Sequence, residues 1–260
     1  MNAGQVWQSF LRLAGFRERR CVACREPFEA PAPAEAEPSL PALLELSCCS
    51  DCRPRLRRRE NGYCPYCGEP SVIEDAPCMP CASCIAKLPP WQDFLFYGIH
   101  EGLLRELILR AKFSGSLSVL DMLGRLLAAL CAEHYASAPL PDIIVPMPLH
   151  VSRLRERGFD QCAEMAKFVG RRLGVPVGHA LVRVEASSPQ SSRTREERRK
   201  MGQPFRCAGD VQSLHVLLLD DVCTTGTTLE RAATCLLAAG ASRVDVAVLS
   251  RASAHGGPRA

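Results

Sequence analysis

The segment Val216-Leu-Leu-Leu-Asp-Asp-Val-Cys-Thr-Thr-Gly-Thr-Thr228 constrains the fold more than any other part of this chain. Four consecutive apolar residues, Val216 to Leu219, predict a strand buried on both faces, because a half-exposed strand would alternate. Asp220 and Asp221 follow at its C-terminal end, then a hydroxyl-and-glycine loop from Thr224 to Thr228. A helix is predicted from Leu229 to Ala239 with Gly240 as its stop, and a second strand from Val244 to Leu249. Strand, helix and strand in that order make a crossover unit, which implies a parallel sheet. Open sheets of this kind bind ligands at the carboxyl ends of their strands. Backbone N–H groups at a helix start cradle a phosphate, and Gly226 lets the loop come close to it. Paired carboxylates hold sugar hydroxyls, directly or through Mg²⁺. The segment therefore suits a sugar phosphate gripped at both ends. A buried strand with an acidic turn and threonine caps accounts for each part separately, but not for the joint Asp-Asp-x-x-Thr-Thr-Gly-x-Thr spacing. No Gly-x-x-x-x-Gly-Lys-Ser/Thr loop and no Gly-x-Gly-x-x-Gly fingerprint occurs, so neither a nucleoside-triphosphatase nor a dinucleotide site is indicated.

Cysteine usage sets the second constraint. Ten of the 15 cysteines fall between Cys21 and Cys84, including four Cys-x-x-Cys pairs at 21/24, 49/52, 64/67 and 81/84. Two such knuckles close one tetrahedral site, which predicts two structural Zn²⁺ ions. Cys21, Cys24, Cys49 and Cys52 are assigned to the first, and Cys64, Cys67, Cys81 and Cys84 to the second. Cys48 and Cys78 are left over, and Cys78 could replace Cys81 or Cys84 at a different spacing. Four thiolates leave no open coordination position, so the role is structural rather than catalytic. A disulfide framework would need an oxidising compartment, and the segment Met1 to Arg20 lacks the basic start, long apolar run and cleavage site of an export signal.

At 260 residues, 47% apolar and 23% charged, the composition suits an α/β domain plus a small accessory one. No run of about 18 apolar residues is present, so no membrane span is expected. The expected division is a cysteine-rich region over 1–90, ending at Pro89-Pro90, an α/β domain over 91–252, and a Gly/Pro/Ala-rich tail over 253–260. Within the first region, Glu29 to Pro41 reads as a flexible insertion. A short strand is expected at Phe94–Tyr97 and another at Ile143–Val145. Helical stripes run through Leu103–Ala111 and Val119–Tyr135, and a helix through Gln161–Leu173, with a possible strand at Val177–Val182. The polar stretch 185–209 is a candidate flap over the site, with a surface loop as the plainer reading. Net charge is only +4, but arginines cluster at 53–59, at 153–157 and at 193–200. Each cluster is either a solvated surface or a polyphosphate or nucleic-acid contact. Lys112 is a candidate to face the site, with a surface lysine at a helix end as the plainer reading, and His150 reads as a structural loop residue.

The 216–228 segment resembles the 5-phosphoribosyl-1-pyrophosphate (PRPP) loop of type I phosphoribosyltransferases. By that resemblance Asp220 and Asp221 are the catalytic pair that meets the ribose hydroxyls. Thr224, Thr225, Gly226, Thr227 and Thr228 meet the 5′-phosphate, and Cys223 is a small apolar filler. Arg153 and Arg157, near the end of the Ile143 strand, are the candidates for the pyrophosphate. Further segments are Leu109-Arg-Ala-Lys-Phe-Ser-Gly115, Ile144-Val-Pro-Met-Pro-Leu-His150, Arg153-Leu-Arg-Glu-Arg-Gly-Phe-Asp-Gln161, and Pro189-Gln190 followed by Arg198. With the cysteine pairs ahead of them, these resemble the ComF (competence protein F-like) family over most of the chain. Asp160 departs from that pattern, which carries Asn there, as does Met201.

The resemblance implies an α/β fold, a type I phosphoribosyltransferase-like parallel sheet domain preceded by a small double zinc-ribbon domain. It implies PRPP binding with Mg²⁺, two structural Zn²⁺ ions, a cytoplasmic location and a part in DNA uptake during natural transformation. Single-stranded DNA and the uptake machinery are the implied macromolecular partners. The activity implied is that of a phosphoribosyltransferase of unspecified acceptor. The alternative is a non-catalytic single-stranded-DNA-binding accessory factor that uses PRPP as a regulatory ligand, since this fold also serves regulators.

Overall fold

The computed structural model describes residues 18–31, 38–184 and 204–253. In chain order, β1 (Glu18–Arg20) and β2 (Pro27–Glu29) form an antiparallel hairpin, followed by α1 (Leu40–Ser47) and α2 (Ala82–Ala86) in the cysteine-rich region. Then come β3 (Phe94–Ile99), α3 (Gly102–Phe113), α4 (Leu117–Tyr135), β4 (Ile143–Pro146), α5 (Val151–Arg157) and α6 (Gln161–Leu173). The chain finishes with β5 (Leu181–Arg183), β6 (Phe205–Cys207), β7 (His215–Cys223), α7 (Thr227–Ala238) and β8 (Arg243–Arg251). The central sheet is parallel throughout, in the order β3-β8-β7-β4, and β5 pairs with β6 outside it.

The apolar run of β7 is buried on both sides, as its composition predicts. Leu217 and Leu219 belong to the core formed with α3, α4 and α6, while Val216 and Leu218 belong to the core formed with α7. All four are fully buried, so truncating one of the leucines to alanine would cost about 2–5 kcal/mol. The first core also takes in Cys21, Leu40, Leu43 and Cys52 from the cysteine-rich region. The second takes in Trp91, Phe94 and Phe96, with Tyr63 and Cys67 packed against it.

Three sequence expectations need correction. β7 does not stop at Leu219 but continues through both carboxylates to Cys223, because β8 runs alongside and pairs Asp220 with Val248 and Cys223 with Arg251. Val177 to Val182 is not one strand. Val177 makes an isolated bridge to Ile144, and the chain then leaves the sheet to pair Leu181–Arg183 with β6, a partner hidden in a polar stretch without periodicity. The insertion expected to reach Pro41 ends earlier, since Leu40 already opens α1 and is buried. The remainder of that insertion at 32–37, the N-terminal segment 1–17, the stretch 185–203 and the tail from 254 lie outside the described residues.

Candidate active site and cysteine centres

A cleft of about 310 Å³ opens at the carboxyl ends of β4 and β7. Asp220, Asp221, Thr224, Gly226, Thr228, Arg153 and Arg157 line it together, from two segments more than 60 residues apart in sequence. Thr225, in the same loop, and Thr227, the first residue of α7, are not among the lining residues; Thr225 donates its hydroxyl to Thr227 Oγ1 at 3.1 Å. Gly226 is the N-cap of α7 with φ +80°, a left-handed conformation that side-chain-bearing residues rarely adopt. The first turn of α7 borders the cleft through Thr228 and Leu229, and although the Thr227 N–H donates to Thr225 Oγ1 at 3.4 Å, a helix start is the arrangement that attracts an anion. The two arginines arrive differently. α5 carries both, ends at the left-handed Gly158, and lies directly after β4.

The carboxylates differ in their partners. Asp221 is buried, receives Lys112 Nζ on Oδ1 at 2.8 Å, and receives the Gln161 side-chain amide on Oδ2. Asp220 accepts from the Asp221 backbone N–H at 2.8 Å and from the Cys162 thiol at 3.3 Å. Burial and the adjacent Asp221 charge push Asp220 up to about 7. Burial and the same carboxylates raise the Cys162 thiol far above its usual range, so it stands as a neutral donor. His100 also lines the cleft, and burial together with Lys112 and Arg105 lowers its pKa. Asp220, Asp221 and Cys162 bring ligand atoms within 4.8 Å of one another. Arg157 donates to Gln161 Oε1 at 3.2 Å and stacks over Phe113 at 5.2 Å.

Of the two readings of Lys112, the plainer one needs correction. Lys112 is not a surface lysine, because the last turn of α3 runs toward the cleft and leaves its side chain 17% exposed against Asp221. Sequence reasoning also passed over Gln161 and Cys162. Both sit at the start of α6, where the Asp160 side chain caps the helix by accepting from the Ala163 N–H at 3.1 Å. The departure at Asp160 thus keeps a capping residue. His150 caps α5 by accepting from the Ser152 N–H, the structural part expected of it. Cys223 is buried in the second core.

The eight assigned cysteines form two quartets, 21/24/49/52 and 64/67/81/84, each with sulfurs within 4.8 Å of one another. A tetrahedral ion with Zn–S bonds of about 2.3 Å has edges of about 3.8 Å. The Cys24–Cys49 and Cys67–Cys81 sulfurs are each 3.7 Å apart, so both quartets fit zinc. In the first, backbone N–H groups, including that of Cys49 at 3.4 Å, outweigh burial and bring Cys21 down to about 6. Cys48 faces Met122 in the core and Cys78 lies near the Glu60 carbonyl, so neither joins a quartet.

The basic cluster at 53–59 is partly neutralised. Arg53, Arg58 and Arg59 pair with Glu45, Glu133 and Glu74, leaving Arg55 and Arg57 exposed. The cluster at 193–200, with Pro189, Gln190 and Arg198, lies outside the described residues. Among the described residues no helix is long and apolar enough to cross a membrane.

Comparison with known proteins places these features in context. A family model described as a phosphoribosyl transferase domain matches residues 160–259. A Salmonella typhi protein named DNA utilization protein YhgH is 35% identical over 219 residues, covering 81% of this chain and 92% of that one. Competence protein F of Haemophilus influenzae is 29% identical over 221 residues, 78% of this chain and 96% of that one. Competence protein ComFC of Bacillus subtilis is 28% identical over 202 residues, 74% of this chain and 78% of that one.

Proposed function

The chain belongs to the ComF family, in which a double zinc ribbon is fused to a type I phosphoribosyltransferase domain, and from that premise we propose that its cleft binds PRPP with Mg²⁺. One observation carries this reading. Asp220 and Asp221 lie near the carboxyl end of the central parallel strand β7, and the loop that follows it is capped into α7 by a left-handed glycine. Carboxylates and a phosphate cradle are thereby held a few residues apart on one wall of the cleft.

In this reading Asp220 and Asp221 accept the ribose hydroxyls and the 224–228 backbone receives the 5′-phosphate. Arg153 and Arg157, carried by α5, face the pyrophosphate and stabilise the charge that develops on it as the bond to ribose C1 breaks. Mg²⁺, when bound, neutralises part of the same charge. Lys112 and Gln161 hold Asp221, and a ligand hydroxyl or cation at this carboxylate has to displace or share those contacts. Zinc in both quartets extends the same proposal from the cysteine geometry, and a role in DNA uptake or utilization extends it from the names of the chain's relatives.

Calorimetric titration of Mg·PRPP tests it. The wild type is expected to bind saturably, and the double variant Asp220→Asn with Asp221→Asn to lose at least about tenfold in affinity, the equivalent of one hydrogen bond to a charged group. Equal affinities would contradict the site. Pyrophosphate release in the presence of candidate acceptors then separates a transferase from the alternative, a single-stranded-DNA-binding accessory factor for which PRPP is a regulatory ligand.

A further inference from the structure

The phosphate loop and the second cysteine quartet are joined by one buried side chain. Arg251, the last residue of β8, is 3% exposed. Its Nε donates to the Cys67 carbonyl at 2.9 Å, and Nη2 meets Glu69 Oε2 at 2.5 Å. Cys67 belongs to the second quartet, and Glu69 stands two residues further along the same knuckle. Nη1 points the other way, donating to the carbonyls of Cys223, at 3.4 Å, and of Thr224 and Ala252. A guanidinium is suited to this because its donors are fixed in one plane.

The carbonyls matter for what lies behind them. A trans peptide is planar, so a C=O aimed at Arg251 turns the N–H of the next residue away from it. The guanidinium thus orients the N–H groups of Thr224 and Thr225, where the phosphate cradle begins. The knuckle holding the other end of Arg251 is itself fixed. Tyr66 O accepts from Trp91 Nε1 at 2.6 Å, and Gly68, at φ +69°, lies so close to β3 that a Cβ there would meet Phe94 Cε1 at 2.6 Å. The first quartet is attached elsewhere, to α3, through Arg110 donating to Ala23 O at 2.6 Å.

We propose that Arg251 is a positioning residue that couples the second cysteine quartet to the phosphate loop, so that losing the metal of that quartet, and not of the first, loosens Thr224 to Gly226 and weakens anion binding there. A thiol-oxidising or zinc-stripping condition would then act on the cleft through the second ribbon alone.

The test compares Arg251→Lys, Glu69→Gln, Cys81→Ser and Cys24→Ser in the full chain. Backbone ¹⁵N order parameters of Thr224 to Gly226 are measured without ligand, and Mg·PRPP affinity separately. In the wild type and Cys24→Ser, the loop is expected in the rigid range near about 0.85, falling below about 0.6 in Arg251→Lys and Cys81→Ser. Affinity should fall about tenfold or more in those two and stay within about twofold in Cys24→Ser. A loop that loosens equally in Cys24→Ser and Cys81→Ser, or stays rigid in Arg251→Lys, would overturn the coupling. Should Cys81→Ser fail to fold, Arg251→Lys and Glu69→Gln decide, since both keep every thiolate. Only the affinity arm rests on the PRPP reading. If the wild type does not bind PRPP yet the loop loosens as stated, that reading fails and the coupling stands.

Discussion

Replacing Asp220 by Asn should stabilise the ligand-free protein, and by more at alkaline than at acid pH. Burial and the Asp221 charge raise the Asp220 carboxyl from 3.8 to about 7. The folded state therefore holds this proton more tightly than the unfolded chain. The stability it contributes is fully present below about pH 4 and is lost as pH rises through 7. Three pKa units at about 1.4 kcal/mol each set a ceiling of about 4 kcal/mol. Integrated only between pH 5 and pH 8, the same shift gives about 2–3 kcal/mol. Asn removes the titration while its side-chain oxygen still accepts from the Asp221 N–H, the bond Asp220 makes at 2.8 Å. Urea unfolding of wild type and Asp220→Asn at pH 5 and pH 8 reads the difference directly. Titration of the cysteine quartets affects both proteins alike and cancels. The variant's advantage should grow by about 2 kcal/mol from the lower to the higher pH. An advantage independent of pH, or a variant less stable than wild type at pH 8, would refute the assignment of a strained carboxylate pair. The same variant should bind Mg·PRPP more weakly, as expected where stability has been given up for function.

Metal analysis should find two zinc ions per chain, with Cys24→Ser and Cys67→Ser each losing one; less than one ion in the wild type would dismiss the paired ribbons. Gly226→Val forces a β-branched residue to φ +80°, which should destabilise by about 1–3 kcal/mol and weaken Mg·PRPP binding as severely as loss of the carboxylates; unchanged affinity would place the phosphate elsewhere. Lys112→Met leaves Asp221 with the Gln161 amide and without its cation, so unfolding should come about 1–3 kcal/mol sooner, whereas a neutral effect would return Lys112 to the surface. If single-stranded DNA binds through the 53–59 arginines, replacing Arg55, Arg57, Arg58 and Arg59 with Ala should flatten the salt dependence of that binding without touching PRPP affinity; gel shifts unaltered by the quadruple variant would leave Arg58 and Arg59 a structural part, in their contacts with Glu133, Glu74 and the Gly62 carbonyl.

Local patterns made much of this legible. The all-apolar run of β7 and the periodic stripes of α3, α4 and α6 carry their own signal, and α6 begins and ends where the sequence puts it. The cysteine quartets follow from spacing, because a knuckle is a local structure and its ligands come in pairs. What stayed hidden depends on residues far apart in the chain. Lys112 looks like any helix-end lysine until α3 is laid against β7, 109 residues away. Arg251 and Glu69, 182 residues apart, have no shared pattern to betray them. The same holds at the opposite end of the sheet. There Asp245, fully buried, gathers His215, Tyr135 and Arg243, with Arg243 also holding Asp93. The sequence pattern ends β7 four residues early, because two carboxylates look like a loop until β8 is laid alongside them.

The most direct measurement is a crystal structure of the full chain soaked with Mg²⁺ and PRPP. The 5′-phosphate should lie against the backbone of Thr224 to Thr228, the ribose hydroxyls within hydrogen-bond distance of Asp220 and Asp221, and the pyrophosphate facing Arg153 and Arg157, with Lys112 displaced from Asp221 or sharing it. A cleft left empty at saturating PRPP, or a ligand bound elsewhere on the chain, would contradict the proposed site.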